Sequence, residues 1–378
     1  MRQISDDLEK IAKQLDISLT MYKNATEKYE SISKYLDNNG IVAHIYPQGS
    51  FRTGTVVRPT KNSVEANYDL DVICESNQYW ENTNPKYIKN NIGDILKDSD
   101  LYGKKLLPED SICWTLEYAE DSNEVGFLLD IVPAAINKSV IGNIGKYIEK
   151  GIKITVKNKE NNEYSWKDSN PEGTALWFDE INSLFLNKYR RSLRESVFYE
   201  NRNLFSSSAT IEDVPDSYLH TALQRCIQLI KRHRDNYYER ANKLEYKPTS
   251  HVILILISQI AKDHAFSNIY DLLKTVLLEL NNNLNKYIDN NDDKFVYKNP
   301  INESENIIQD WNKNHYDAFK KWINEFLNEV DKLQNSNENA YQITLRTMFG
   351  DQCVKRALPI ASNYEENVIK NGVKPWKI

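Results

Sequence analysis

Two aspartates in the run "YDLDVICES", from Tyr68 to Ser76, carry the first chemical signal. Side chains two residues apart on a strand share a face, so Asp69 and Asp71 project together while Leu70 and Val72 point into a packed layer. Two carboxylates that close repel each other and raise each other's pKa unless a cation neutralises them. A third carboxylate, Asp130, stands in the apolar run "VGFLLDIVPA" from Val125 to Ala134, where burial without a partner or an ion is costly. If that strand pairs beside the first, the cluster has three members. Such a cluster suits magnesium, which takes hard oxygen ligands at about 2.0 to 2.1 Å and keeps positions open for water and phosphate. Two ions about 3.5 to 4 Å apart can clamp the attacking and leaving oxygens of a phosphoryl or nucleotidyl displacement.

Ahead of these aspartates lies "PQGSFRTGT", from Pro47 to Thr55. Gly49 permits a tight turn close to a ligand, and the Ser50 hydroxyl with neighbouring backbone N–H groups can cradle a triphosphate. The residues after it can open a short helical turn whose amide end favours anions. A Gly-Ser pair or an Asp-x-Asp alone says little; their order and strand context carry the weight.

The elements that must position these groups change character along the chain. Apolar residues at helical spacing from Leu8 to Leu36 predict one long or once-broken helix at the start. Short strands follow at Ile41–Pro47, Tyr68–Ser76, Ser111–Ala119, Val125–Ala134, Ile152–Lys159 and Asn162–Lys167, interrupted by a helix carrying Ile88, Ile92, Ile95 and Leu96. After the break "DSNPEG" strand signals nearly vanish. Helices are predicted at about Pro171–Val197, Ser217–Arg240, Ser250–His264, Ile269–Tyr287, Glu303–Leu333 and Ala340–Val354, joined by Asn-rich, solvated connections. The expectation is an α+β body, residues 1–168, with a helical lobe appended, residues 169–378.

Composition narrows the function. With 378 residues, 40% of them hydrophobic, the chain can fill two cores. No apolar run approaches the roughly 18 residues that cross a bilayer. The acidic, helical start lacks the basic patch and apolar block of a secretory signal, which predicts a cytoplasmic protein. A net charge of -6 argues against coating nucleic acid, so any anionic ligand needs a local site. Four separated cysteines form no CxxC and read as reduced core residues. Six histidines show no metal-ligand spacing.

One local basic surplus exists: residues 225–247 hold seven Lys or Arg against three Asp or Glu. Leu219, Leu223, Cys226, Ile227 and Ile230 form an apolar stripe there, with Lys231 and Arg234 at its border. Lys231 is read as a phosphate contact, whereas Arg232, Arg240, Lys243 and Lys247 read as a solvated face. Ser250, following Pro248, is a good helix N-cap.

Taken together, "PQGSFRTGTVVRP", "YDLDVICES" and "FLLDIVPA" resemble the Gly-Ser loop, the Asp-x-Asp and the third carboxylate of the DNA polymerase β-like nucleotidyltransferases. Two later stretches, "SNPEGTALWFDEIN" and "ALQRCIQLIKRHRDNYY" followed by "KPTSHVILILIS", are similar to the bacterial cGAS/DncV-like branch. The resemblance covers about residues 45–260, and the last hundred or so match no motif. It implies a polymerase β-like palm with a mixed sheet, flanking helices and a long N-terminal helix. It also implies two magnesium ions, or manganese, on Asp69, Asp71 and Asp130, and a triphosphate held by Gln48, Gly49, Ser50, Lys231 and Ser250. The implied activity joins nucleoside triphosphates, ATP among them, into a cyclic di- or trinucleotide and releases pyrophosphate. That messenger would act on a downstream effector in antiphage (CBASS) signalling, with a regulatory protein as a further partner and no template or membrane. The same carboxylates would serve a linear, oligoadenylate-type synthase or a transferase acting on RNA, protein or a small molecule, and a nucleotide-binding pseudoenzyme stays open.

Overall fold

The computed structural model describes residues 4–58, 60–61, 64–65, 67–118, 126–137, 147–193, 220–264, 268–291, 294–359. The chain opens with α1 (Ile4–Lys13) and α2 (Leu19–Asn38), so the predicted N-terminal helix is broken once. Ser18 makes the break by accepting the Met21 N–H at 3.1 Å, which caps α2. Strand β1 (Ala43–Pro47) leads into a single helical turn, α3 (Gly49–Arg52). A small hairpin, β2 (Thr60–Lys61) and β3 (Val64–Glu65), precedes the long β4 (Tyr68–Tyr79). Then come α4 (Pro85–Lys97), β5 (Trp114–Tyr118), β6 (Phe127–Ile136), β7 (Ile152–Lys157) and β8 (Tyr164–Ser169).

Six of these strands make one mixed sheet in the order β1-β4-β6-β7-β8, with β5 also on β6. The β4–β6 pair is parallel and the others antiparallel. The partner edge of β6 is shared: β5 takes Phe127–Ile131 and β7 takes Ala134–Ile136. Alternation along β4 sends Leu70, Val72 and Cys74 into a core with Tyr29, Ile32 and Leu36 of α2. The opposite face is left to Asp69 and Asp71 near the strand's start and to Ile73 in a smaller core with Val132 and Ile154 further along.

The second half begins with α5 (Pro171–Leu193), followed by α6 (Ala222–Arg240), α7 (Ser250–Ala261) and α8 (Ile269–Asn283). The predicted continuation of α5 to Val197 and the predicted start of α6 at Ser217, with Leu219, lie outside the described residues. Two short ribbons come next, β9 (Asp289–Asn291) with β10 (Lys294–Val296) and β11 (Lys298–Asn299) with β12 (Asn302–Asn306). The chain then forms α9 (Lys313–Asn335), α10 (Glu338–Phe349) and α11 (Asp351–Ala357). Here the structure corrects two expectations. Residues predicted as a helix from Glu303 begin instead in β12, because Asn312 caps α9 with a reciprocal capping box at His315. The helix predicted over Ala340–Val354 is divided at Gly350, whose φ of 95° a helix does not accommodate.

Packing also separates the first two helices. Leu8, Ile11 and Ala12 of α1 belong to the core of the helical half, with Leu223, Ile227, Leu273 and Trp322, whereas α2 belongs to the sheet's core. All four cysteines are buried and unpaired.

Candidate active site

The parallel register of β4 and β6 sets Asp71 directly beside Asp130 and Asp69 beside Leu128. Adjacent residues in register share a face, so Asp130 joins the pair on β4 from one strand away. On its other side Asp130 is in register with Thr115 of β5, whose Oγ1 donates to Asp130 Oδ1 at 2.5 Å. The three carboxylates act on one another. Loss of surrounding water pushes the Asp71 carboxyl up to about 7, with Asp130 and Asp69 adding repulsion and Lys231 opposing it. Partial desolvation, then Asp130, raises Asp69 as well.

Gly49 stands against this pair. Its φ is +64°, and a Cβ placed there would lie 3.1 Å from Asp71 Oδ2. The preceding Gln48 N–H donates to the Asp71 carbonyl at 2.9 Å, which ties the turn to β4. Within the turn, Thr53 Oγ1 donates to the Gly49 carbonyl at 3.1 Å. Arg52 anchors it to α5 through Asp179 at 2.8 Å.

The stretch beyond the turn is gripped by α6. Gln224, Gln228, Lys231 and Arg232 lie on one side of that helix by their spacing. Gln224 Nε2 donates to the Thr53 carbonyl at 2.9 Å, and Gln228 Nε2 to that of Val56 at 2.8 Å. Lys231 Nζ donates to the Thr55 carbonyl at 3.1 Å and to Thr55 Oγ1 at 3.0 Å. Arg232 Nη2 reaches the Arg58 carbonyl at 2.5 Å. The solvated-face expectation therefore fails for Arg232, which is 4% exposed, while Arg240, Lys243 and Lys247 are on the surface. Burial, reinforced by Arg234, lowers the Lys231 ammonium to about 7 against the pull of Asp235 and Asp71.

Ser250 is the first residue of α7 and not its cap. Thr249 takes that role by accepting the Val252 N–H at 3.3 Å. The Ser250 hydroxyl instead accepts from Arg234 Nη1 at 3.3 Å.

These elements enclose a cleft of about 330 Å³. Gln48, Gly49, Ser50, Asp69, Asp71, Lys231 and Ser250 all line it, whereas Asp130, in register beside Asp71, is not among its lining residues. Sequence reading missed several of its walls. Thr53 and Thr55 sat within the quoted loop, and Asn170 within a stretch read as a break and as part of the resemblance, with no site role given to it. Asn299 and Glu305, from β11 and β12, carried no signal at all. Among the described residues no three His, Cys, Asp or Glu side chains close into metal-ligating spacing. The donor chemistry nonetheless fits a divalent cation: hard oxygens, partly desolvated and mutually repelling, opposed on Asp71 by a single buried ammonium.

A mixed sheet with paired strand carboxylates, a glycine turn against them and a helical body closing the cleft is the architecture of the polymerase β-like nucleotidyltransferase fold. Comparison with known proteins narrows the class. A family model for the Second Messenger Oligonucleotide or Dinucleotide Synthetase (SMODS) domain matches residues 1–182. A c-di-GMP synthase of Roseivirga ehrenbergii is 28% identical over 381 residues, spanning 98% of this chain and 90% of that one. Among solved structures, the Bradyrhizobium diazoefficiens CD-NTase CdnG in complex with GTP superposes with a TM-score of 0.66 at 20% identity, covering 94% of this chain and 97% of that chain. The E. coli MS115-1 CdnC:HORMA-deltaN complex gives 0.56 at 13% identity, covering 91% and 96%. The chain is thus similar to the SMODS domain over its first 182 residues and to a c-di-GMP synthase over nearly its whole length, and it shares the fold of the CD-NTases.

Proposed function

We propose that this enzyme joins two nucleoside triphosphates into a cyclic dinucleotide second messenger. The observation that carries the reading is the Asp71–Asp130 register with Asp69 on the same face, beside a cleft that also holds Gly49, Ser50 and Lys231. Two magnesium ions on these carboxylates would lower the pKa of the acceptor ribose hydroxyl and neutralise charge on the leaving pyrophosphate. Asp69 and Asp71 would hold the ions, and Asp130, steadied by Thr115, would help hold the one that activates the acceptor hydroxyl. The Gly49 turn lets backbone N–H groups and the Ser50 hydroxyl approach the triphosphate closely. Lys231 exchanges its Thr55 contacts for a phosphate oxygen, a trade that favours its charged form. Gln48 positions the turn through its backbone, and Ser250 offers a hydroxyl from α7. Positioning and charge neutralisation supply most of the rate.

The palm, residues 1–168, and the helical lobe, residues 169–378, would act as two jaws, with α1 docked on the second. Guanine is favoured over ATP as substrate base by the name of the Roseivirga relative and by the GTP bound to CdnG. The HORMA complex of CdnC supports a regulatory partner here, and a downstream effector in antiphage (CBASS) signalling would read the product. Among the described residues no helix is long and apolar enough to cross a membrane, consistent with cytoplasmic synthesis.

Incubation with each radiolabelled nucleoside triphosphate and magnesium, followed by phosphatase, chromatography and mass spectrometry, tests the reading. A phosphatase-resistant dinucleotide lacking terminal phosphate is expected. A phosphatase-sensitive ladder would show a linear synthase, and reaction only after an acceptor is added would show a modifying transferase.

A further inference from the structure

Two short strands with no sequence signature supply a part of the cleft wall distinct from the carboxylates of β4. Asn299 of β11 and Glu305 of β12 both face it. Asn299 is 2% exposed. Its Oδ1 accepts the Ile301 N–H at 3.1 Å and its Nδ2 donates to Glu305 Oε2 at 2.8 Å. One buried amide thus fixes both the ribbon's turn and the orientation of a carboxylate. Glu305 Oε1 has no hydrogen-bond partner among the described residues. The charged neighbours of Glu305 are Lys167 and Asp168 at the end of β8, whereas those of Asp71 are Asp69, Asp130 and Lys231. No neighbour is common to the two acidic groups, so they occupy separate parts of one cleft. Pro171 and Ala175 of α5 and Leu254 of α7 add apolar surface to the same space.

We infer that Glu305, held in place by Asn299, reads the base of a bound nucleotide and selects guanine. This rests on the reading of the cleft as a nucleoside triphosphate site. Guanine presents N1–H and N2–H side by side, and the two oxygens of a carboxylate accept such a pair as they accept a guanidinium fork. The Oε2 atom keeps a lone pair for this purpose beside the one taken by Asn299. Adenine presents an acceptor at N1 next to its amino group, which faces a carboxylate with repulsion. Inosine keeps N1–H and lacks the amino group. Burial pushes the Glu305 carboxyl up, a penalty that two N–H donors from a ligand reduce.

The test is titration calorimetry of the full-length protein with the α,β-methylene analogues of GTP, ITP and ATP, which bind without turnover. Wild type and Glu305→Gln are compared, with thermal melts of both and product chromatography on the natural triphosphates in parallel. Wild type is expected to bind the GTP analogue roughly 10- to 100-fold more tightly than the ITP analogue, a ratio typical of one hydrogen bond to a charged acceptor. In Glu305→Gln that ratio is expected to fall to within a few fold while the melting temperature holds. Asn299→Ala is expected to move the ratio in the same direction by freeing the carboxylate. Equal binding of the GTP and ITP analogues by wild type overturns the inference. So does an unchanged ratio in Glu305→Gln, or a lowered melting temperature with selectivity intact, which would make Glu305 a structural partner of Lys167. Selective binding without any cyclic product would sink the synthase reading and leave Glu305 standing. Cyclic guanine product from Glu305→Gln at wild-type preference would do the reverse.

Discussion

Gly49 and Asp71 are in contact across the cleft wall: a methyl group on the glycine would sit 3.1 Å from the carboxylate oxygen Oδ2. The backbone of Gly49 is also left-handed, at φ +64°, where an L side chain adds strain. Gly49→Ala therefore pushes the turn and the aspartate apart at the point where the proposed phosphate and cation sites meet. We expect kcat/KM for dinucleotide synthesis to fall by about 100-fold, the scale of an ångström-sized misplacement. The melting temperature should fall by little, because the turn is one residue of a well-packed body. A variant with near-normal kcat/KM would show that the turn does not contact substrate.

The carboxylates give a second expectation. Asp69→Asn, Asp71→Asn and Asp130→Asn should each reduce turnover by roughly 1,000-fold, the upper range for removing one preorganised charge contact. Chelation of divalent cations should abolish it. Asp71→Asn without metal should melt no lower than wild type, since it removes a charge repelled by Asp69 and Asp130. Parallel loss of folding and activity in all three would point to a structural cluster.

Gln224 tests the grip of α6 on the loop. It is 7% exposed, donates to the Thr53 carbonyl and accepts the Thr221 N–H at 2.9 Å, closing the capping box of its own helix. Gln224→Ala should cost about 1 to 3 kcal/mol in denaturant unfolding by leaving buried groups unpaired. It should also raise KM for the triphosphate more than it lowers kcat, since the loop that loosens is the one proposed to hold phosphate. An unchanged KM would separate the clamp from the substrate.

Acid sensitivity follows from His220. Burial, then Arg225, lowers its imidazole to about 4 from 6.5, against the pull of Asp16 and the Gly54 backbone. A depressed histidine favours the folded chain when neutral, so its contribution is fully present above pH 6.5 and is lost as pH falls toward 4. At pH 5 the loss is about 2 kcal/mol by linkage. Replacing His220 with Gln should flatten the fall in melting temperature between pH 7 and pH 5. An equal fall in both proteins would place the titrating group elsewhere.

What could be read in the sequence was whatever depends on neighbours along the chain. Asp69 and Asp71 share a face because they are two residues apart, and the apolar run around Asp130 announced a strand. Asp130 reaching Asp71 required a pairing that the sequence offered only as a condition, and the register supplies it. Charge density misled for Arg232, because a buried guanidinium is tolerated where a carbonyl awaits it, and the Arg58 carbonyl is contributed by a distant segment. The β11–β12 ribbon is too short and too rich in asparagine for alternation to show. Its two cleft residues, Asn299 and Glu305, were invisible for that reason. The spare carboxylate there has meaning only once the cleft is closed around it.

The four α6 side chains that hold the carbonyls of Thr53, Thr55, Val56 and Arg58 also limit how this enzyme can be recombined. A chimera that joins this palm to a foreign helical lobe between α5 and α6 would strand those carbonyls against side chains not chosen for them. Crossovers placed after Arg240 keep the loop and its clamp together, so shuffled libraries should yield working enzymes from the later junction and few from the earlier one.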